Sequence, residues 1–247
     1  MKRIVMPLVI ALAVSAVCSA QTNQPGVGTT ANDVIAVVLG KKLTIKDKDK
    51  LDGLIFGMLL DNFAKENKIE PTEQELDAFV LKTEEKERQH QIKFEQDRQN
   101  LLTELKSPSM SERERKERES RLQTIERILK TTREIKDSTK VTEEQLRLMK
   151  RQIAQEVVRM WKINKALYEK YGGRVIFQQA GVEPLDAYRD FLKEEEKKES
   201  FQILDKQYEA DFWRYFTNDA MHTFYSKDDG AKFINTPWWM MEDPREE

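Results

Sequence analysis

The chain has 247 residues, of which 35% are charged and 39% are hydrophobic. The charged fraction excludes a protein that crosses a membrane many times, and the balance of 42 basic against 44 acidic residues excludes a nucleic-acid-binding polycation. Few glycines and prolines, with abundant Glu, Lys, Gln, Leu and Arg, are typical of long helices, and the apolar residues suffice for a core.

Residues 1–20 have the pattern of an export signal. Lys2 and Arg3 precede an uncharged apolar run, and Ala20 ends a cleavage site of small residues. We therefore expect a cut after Ala20 and a periplasmic or secreted protein without stable membrane insertion. A lipoprotein acylated at Cys18 and an uncleaved anchor are the alternatives. Cleavage would remove the single cysteine, so the mature chain would contain no disulfide and no thiolate metal site.

The next segments predict a tether, a β-element and a first helix. Residues 21–32 are polar and aperiodic, which is typical of a flexible tether. The β-branched run 34–38, followed by a glycine turn, predicts a small two-stranded β-element. Apolar residues then recur at helical spacing from Leu51 to Phe63, and Asn67 predicts the end of this helix.

Residues 73–136 predict a long, charged, antiparallel helical hairpin. Capping boxes at Thr72 and Ser111 begin its two helices, and Ser-Pro-Ser at 107–109 separates them. A simple register about this turn places three leucines opposite residues 112–121, which include no hydrophobic side chain. Either the register differs or another segment covers these leucines, or the tip is an exposed apolar surface that contacts a partner. The leucines are Leu101, Leu102 and Leu105.

Residues 140–226 predict further helices that complete the core. An amphipathic stripe runs from Leu146 to Tyr171, and 174–178 is a candidate second strand. Residues 227–247 predict an irregular tail. A final aromatic helix presents more rings than one helix face can bury, which predicts either a core seam or a groove for apolar peptides. Its principal residues are Tyr208, Phe212, Trp213 and Phe216.

The segment 34–80 reads VIAVVLGKKLT, continues into the helix LIFGMLLDNF and then reads AKENKIEPTEQELDAFV. This order resembles the N-terminal domain of the SurA family of periplasmic chaperones and foldases. The family has asparagine before the turn glycine, where this chain has Leu39. The residues that match are Val34, Ala36, Val37, Val38, Gly40, Leu43, Thr44, Leu59, Leu60, Ala64, Ile69, Thr72, Glu75 and Leu76.

The resemblance implies a mainly α-helical, SurA N-terminal-like domain over 33–226. This domain would contain the small two-stranded β-element and the protruding helical hairpin, and 140–226 would pack back on the N-terminal segment. By the same analogy, 174–178 could pair with 34–38. The isomerase activity of the family belongs to a parvulin domain with paired histidines, and no such domain is recognisable in the sequence.

Catalytic motifs are not recognisable in the sequence either. His222 follows Asp219 by three residues, which could place two ligands on one helix face, but a metal site needs a third ligand. His90 lies in a charged stretch. We therefore expect neither an enzyme nor a bound metal or cofactor.

The leading functional hypothesis is an ATP-independent chaperone-like protein, a holdase, without isomerase activity. It would bind unfolded or partly folded exported proteins and no nucleic acid. The alternative is a structural or adaptor protein of the cell envelope whose hairpin contacts a helical partner or a second copy, and a peptidyl-prolyl isomerase is the third option. The expected client or partner contacts are Leu101, Leu102, Leu105, Tyr208, Phe212, Trp213 and Phe216.

Overall fold

The computed structural model describes residues 33–138, 142–178 and 181–241. The expected export signal, 1–20, and the expected tether, 21–32, lie outside the described residues. The protein is mainly helical with a small β component, which confirms the fold class at that level. Within the described ranges, no helix has both the length and the apolar character needed to cross a membrane.

Seven helices and five short strands make up the described part of the chain. In chain order they are β1 (Val34–Val38), β2 (Lys41–Thr44), α1 (Leu51–Glu66), α2 (Glu73–Glu104), α3 (Glu112–Ser138), α4 (Glu143–Tyr171), β3 (Ile176–Gln178), β4 (Gly181–Glu183), α5 (Leu185–Lys197), β5 (Phe201–Ile203), α6 (Lys206–Thr217) and α7 (Lys227–Asn235). Short 3-10 turns precede α1, follow α6 and follow α7.

The predicted β1–β2 hairpin forms, and a third strand extends its sheet. β1 lies between β2 and β5 and is antiparallel to both, so Val37 is opposite Lys42 on one side and Gln202 on the other. The turn between β1 and β2 has a positive φ at Leu39, 47°, and at Gly40, 77°. Two consecutive positive φ angles are the requirement of a type I′ hairpin turn.

The expected pairing of 174–178 with 34–38 is wrong. β3 pairs instead with β4, with Ile176 opposite Glu183 and Gln178 opposite Gly181. Gly181 has a φ of 139°, which a glycine adopts without the strain of a side chain. Only two residues separate β3 from β4, so this pairing also closes a far shorter loop than a pairing of β3 with β1 would.

One apolar cluster joins residues 35–69 to residues 163–216, and we call the part of the molecule around it the body. α1 contributes Ile55 and Leu59, the second half of α4 contributes Leu167, and α5 contributes Phe191, all at most 2% exposed. Burying each such side chain contributes about 1.5–3 kcal/mol. The cluster therefore fixes α1, α4 and α5 around the three-stranded sheet.

The predicted helix ends are confirmed where capping residues marked them. The Thr72 hydroxyl accepts a hydrogen bond from the Glu75 amide at 3.2 Å, and the Glu75 carboxylate accepts one from the Thr72 amide at 2.7 Å. Ser111 makes the same reciprocal pair with its partner three residues on. Asn67 ends α1, and Gly172, with a φ of 69°, ends α4.

The expectation of an irregular tail is wrong for residues 227–241. The Ser226 hydroxyl caps α7, Ile234 is fully buried, and Gly230 packs against Val175 so closely that a Cβ would lie 3.0 Å from the valine Cβ. The helix has nine residues and few apolar positions, so its sequence alone carries too little periodicity to predict it. Residues 242–247 lie outside the described residues.

Candidate interaction surface: the helical arm and its root

α2 is attached to the body through its first half. Leu76 and Phe79 of α2 pack against Ala154 and Val158 of α4, and Trp239 from the C-terminal end of the chain completes this cluster. We call the four residues of this cluster that come from α2 and α4 the root. Their exposed fractions are all at most 5%, so the root is a second apolar cluster beside the core of the body.

Ion pairs between α2 and α4 surround the root. Arg151 contacts both Glu73 and Asp77, and Lys162 lies 2.8 Å from Glu75. Partial burial raises the pKa of Glu75, but the hydrogen bonds from Lys162 and Thr72 outweigh it and keep this pKa below its usual value. Because the ionised form is the stabilised one, Glu75 stays paired with Lys162 at neutral pH.

Beyond the root, the second half of α2 pairs with α3, and we call this antiparallel pair the arm. The main tertiary contacts of α3 are with α2. The apolar contacts of the arm centre on three buried residues: Leu101, Ile125 and Leu129. Phe94 and Leu122 are partly buried beside them. This cluster is much smaller than the core of the body.

The two sides of the arm differ in chemistry. One shallow groove, with a volume of about 670 Å³, is lined by Gln91, Ile92, Glu95, Gln96, Gln99 and Asn100, most of which are uncharged. Another, of about 410 Å³, is lined mostly by charged residues of both helices, among them Arg98, Lys130 and Arg133. The arm therefore offers an amide-rich side and a mixed-charge side.

The arm does not follow the simple register about the turn, and Leu101 is buried, so the first of the two alternatives, a different register, holds for this leucine. α2 ends at Glu104 and α3 begins at Glu112, so the connection is longer than the predicted turn and shifts α3 along α2. Glu104 lies 2.7 Å from Arg118, and Leu101, 5% exposed, packs in the same cluster as Ile125. The charged stretch at the start of α3 lies nearer the tip than predicted.

The other two leucines of the tip are half-buried. Leu102 and Leu105 lie near the connection, where the Arg115 guanidinium donates to the carbonyl oxygens of Leu105 at 2.9 Å and Ser107 at 3.2 Å. These bonds satisfy carbonyl groups that the end of α2 leaves without helical partners. The tip is therefore closed by its own side chains, with part of two leucines still accessible.

The aromatic helix α6 belongs largely to the core of the body. Phe212 and Phe216 are 2% and 3% exposed and belong to the cluster that holds α1 and α5. Tyr208 and Trp213 are half-buried at its margin. The expectation that all four contact a client is wrong for the two phenylalanines, because the sheet and helices already cover their rings.

Several apolar side chains outside the predicted contacts are also exposed. Leu146, near the start of α4, and Met160, beside Trp161, lie on the amphipathic stripe and are 42% and 43% exposed, because packing at the root covers other positions of α4. Leu148, 56% exposed, lies on the other side of α4. Leu81 and Ile92 of α2 are 60% and 58% exposed. The sequence signal for these exposed side chains was the length of the α4 stripe, because the stripe is longer than one packing partner covers.

A polar cluster in the body connects β4 to α6. The Tyr215 hydroxyl donates to the Glu183 carboxylate at 2.6 Å and accepts from the Gln178 amide at 3.1 Å. Burial raises the pKa of Glu183 although the Tyr215 hydrogen bond opposes this, and burial with the adjacent carboxylate raises the pKa of Tyr215. The cluster therefore favours a neutral hydroxyl and disfavours the ionised carboxylate.

The Asp219 and His222 pair that could suggest a metal site does not converge. The Arg174 guanidinium donates two hydrogen bonds to Asp219, which lower the pKa of that carboxyl, while His222 Nε2 lies 2.7 Å from the backbone oxygen of Tyr215. Among the described residues, no group of three or more potential ligands could hold a metal ion. His222 instead packs edge-on against the Tyr215 ring, with the centroids 4.8 Å apart.

Comparisons with protein-family models, with curated proteins and with solved structures found no match to this chain.

Proposed function

We propose that this protein is an exported, ATP-independent chaperone-like protein that binds unfolded or partly folded proteins of the cell envelope without isomerase activity. The observation that carries the proposal is the partly uncovered apolar stripe of α4 beside the root of the arm. Leu146 and Met160 lie on this stripe and remain more than two-fifths exposed in a chain that is 35% charged. Exposed apolar surface rimmed by charge is typical of sites that bind other proteins.

The charged surroundings of the stripe support the same function. Arg151, Lys162 and their carboxylate partners keep the surface around the root hydrated while the stripe contacts an apolar segment. Such an arrangement lets a client bind by apolar contact and leaves the complex soluble. Release then follows from the equilibrium between free and bound client.

The resemblance to the SurA N-terminal domain adds a second line of support. The β1–β2 hairpin and α1 occupy the matching segment, and the later helices pack against them. Under this proposal the leader is cut after Ala20 and the protein acts in the periplasm or outside the cell. N-terminal sequencing of the exported protein tests this part, because the expected first residue is Gln21.

An aggregation assay tests the holdase function. Residues 21–247 are mixed with an unfolded outer-membrane β-barrel client in the absence of nucleotide, and light scattering is followed. We expect suppression near stoichiometric ratios, and we expect Leu146→Gln with Met160→Gln to weaken it. Leu148→Gln is the control, because it removes a leucine that is even more exposed, 56%, from the other side of α4. Absence of suppression by the unaltered protein would reject the function.

The arm favours a second candidate, an adaptor that binds a folded helical partner. Its mixed-charge side and its closed apolar cluster suit a partner helix better than an extended apolar chain. Leu102→Ser with Leu105→Ser is expected to abolish a stable complex or oligomer in pull-down and light-scattering experiments. If this variant instead lowers client protection and no stable complex exists, the adaptor function is rejected.

A further inference from the structure

The C-terminal residues 237–241, which we call the strap, lie across the root. The Trp239 ring is 4% exposed, with its centroid 5.0 Å from the Phe79 ring of α2 and 5.7 Å from the Trp161 ring of α4. The Trp238 ring meets Phe79 edge-on at 6.1 Å. The strap thus fills a groove between α2 and α4.

Side chains attach the strap to the groove. The backbone hydrogen bonds that the structure shows for the strap are internal, from Met240 to Pro237 and from Met241 to Trp238. The bond that reaches α2 is side chain to backbone: Lys86 Nζ donates to the Met241 carbonyl oxygen at 2.6 Å. The strap can therefore leave the groove while the hydrogen bonds of α2 and α4 stay intact.

The segment before the strap is fixed more firmly. Ile234 of α7 is fully buried, and its carbonyl oxygen accepts a hydrogen bond from Trp161 Nε1 at 2.9 Å. The end of α7 is thereby tied to α4 independently of Trp239. Thr236, the single residue between the last residue of α7 and Pro237, is a natural pivot, because bending there moves the strap alone.

We infer that the strap is an autoinhibitory cover that opens to enlarge the client-binding surface of the root. Opening would uncover Leu76, Phe79 and Val158, which lie directly beside the exposed stripe of α4. The closed strap limits binding when no client is present, and an apolar client segment competes with Trp239 for the groove. This inference rests on the proposed holdase function, which it extends with a mode of regulation.

Hydrogen exchange on the full mature chain measures the opening directly and needs no client. We expect the amides of residues 238–241 to exchange at least about tenfold faster than those of α1 and α5, since local opening requires less free energy than unfolding the body. Exchange of the strap at the same rate as α1 and α5 would mean that it opens only with the whole fold, and would overturn the inference.

Trp239→Ala tests whether the strap covers the root. We expect this variant to bind several-fold more of an apolar fluorescent dye and to lose protection in α2 around 76–83, with α1 and α5 unchanged. Met240→Ala is the matched control, since Met240 lies in the strap but is 51% exposed. Equal dye binding by the two variants, or loss of protection throughout the body, would assign Trp239 a purely structural role.

The client assay then separates this inference from the proposed function. If the strap is inhibitory, Trp239→Ala suppresses aggregation at a lower molar ratio than the unaltered protein. Suppression by the unaltered protein that is weakened by Trp239→Ala retains the holdase function and rejects the autoinhibitory strap. If neither protein suppresses aggregation, the holdase function fails, and with it the strap's regulatory role, whatever the exchange data show.

Discussion

The body and the arm bury their apolar side chains on different scales. The core of the body combines residues from β1, α1, α4, α5, β5 and α6, so that segments far apart in the sequence support one another. The arm has Leu101, Ile125 and Leu129 as its buried residues, and they come from two helices that are close in sequence. A destabilising substitution in the core of the body therefore affects the whole fold, whereas one in the arm has a local effect.

The arm compensates for its small core with local interactions. Its helices begin at capping boxes, and cross-helix pairs such as Arg118 with Glu104 and Arg133 with Glu95 follow its length. Each exposed ion pair contributes little, because water screens it and ordering two long side chains opposes it. An arm built in this way is soluble and can loosen without unfolding the body.

Phe191→Ala is the change with the largest expected effect. Its ring is 2% exposed and lies 5.5 Å from the Phe63 ring, so removing it leaves a cavity between α5 and α1. We expect the free energy of unfolding of the whole body to fall by about 3–5 kcal/mol. Urea denaturation followed by near-ultraviolet circular dichroism measures this loss. A loss of less than about 1 kcal/mol would contradict the description of the body as built around one shared apolar core.

Leu101→Ala tests the local character of the arm. We expect it to cost about 2 kcal/mol, near the low end for a buried leucine, because solvent borders the small cluster of the arm. Hydrogen exchange should show lost protection in the second half of α2 and in α3, with α1 and α5 unchanged. Leu102→Ala, at the half-buried neighbouring position, is the control and should have a smaller effect. Loss of protection in α5 would show that the arm and the body unfold together.

Leu39→Asn is expected to stabilise the body by about 0.5–1 kcal/mol, part of the cost of a left-handed conformation for a residue other than glycine or asparagine. Leu39 has a φ of 47°, a left-handed conformation that costs a leucine more than an asparagine. Its side chain is 42% exposed, so little apolar burial is lost. Thermal unfolding measures the gain, and Leu204→Asn, at a position 48% exposed in the same region, controls for the change in polarity. A lower midpoint for Leu39→Asn would contradict the turn geometry.

Glu183→Gln should have a smaller effect, which appears as a change in relative stability with pH. Burial raises the pKa of Glu183 in the folded protein above its unfolded value, so the folded state binds the proton more tightly. The contribution of this carboxyl to the free energy of unfolding is complete at a pH below its pKa in the unfolded chain. It is lost as the pH rises through the pKa of the carboxyl in the folded protein. Glu183→Gln removes that loss, so its stability relative to the unaltered protein should increase from pH 4 to pH 7, measured by urea denaturation. A constant difference would contradict the raised pKa.

Arg133→Gln should have the smallest effect. Arg133 lies 2.8 Å from Glu95 across the arm, with an exposed side chain, and we expect its removal to change stability by at most about 0.5 kcal/mol. Unfolding at low and at high salt measures the contribution of this ion pair, because the difference in stability between the variant and the unaltered protein should vanish at high salt. A loss above about 1 kcal/mol would show that the ion pairs of the arm act as a network.

The parts of the fold that local sequence determines could be predicted. The caps at Thr72 and Ser111 are formed by residues three positions apart, so their geometry depends on short segments. The β1–β2 hairpin and the end of α1 at Asn67 are local in the same way. These elements agree with the structure because few distant contacts influence them.

The parts that depend on distant contacts could not be predicted. The register of the arm follows from the length of the connection between α2 and α3, which the pattern around Pro108 does not define. β5 has three residues, and its pairing with β1 depends on how α5 packs. For the same reason the exposed stripe of α4 became apparent only once the root showed which of its residues α2 covers.

The position of β1 between β2 and β5 has a consequence for how the protein is made. β1 is among the first described residues to leave the ribosome, yet the strand that completes its second edge ends at Ile203, more than 150 residues later. Until then β1 has one unpaired edge, a template for pairing with other chains. The sheet therefore stays incomplete for most of the synthesis of the chain, and the final folding step requires the segment from α5 onward.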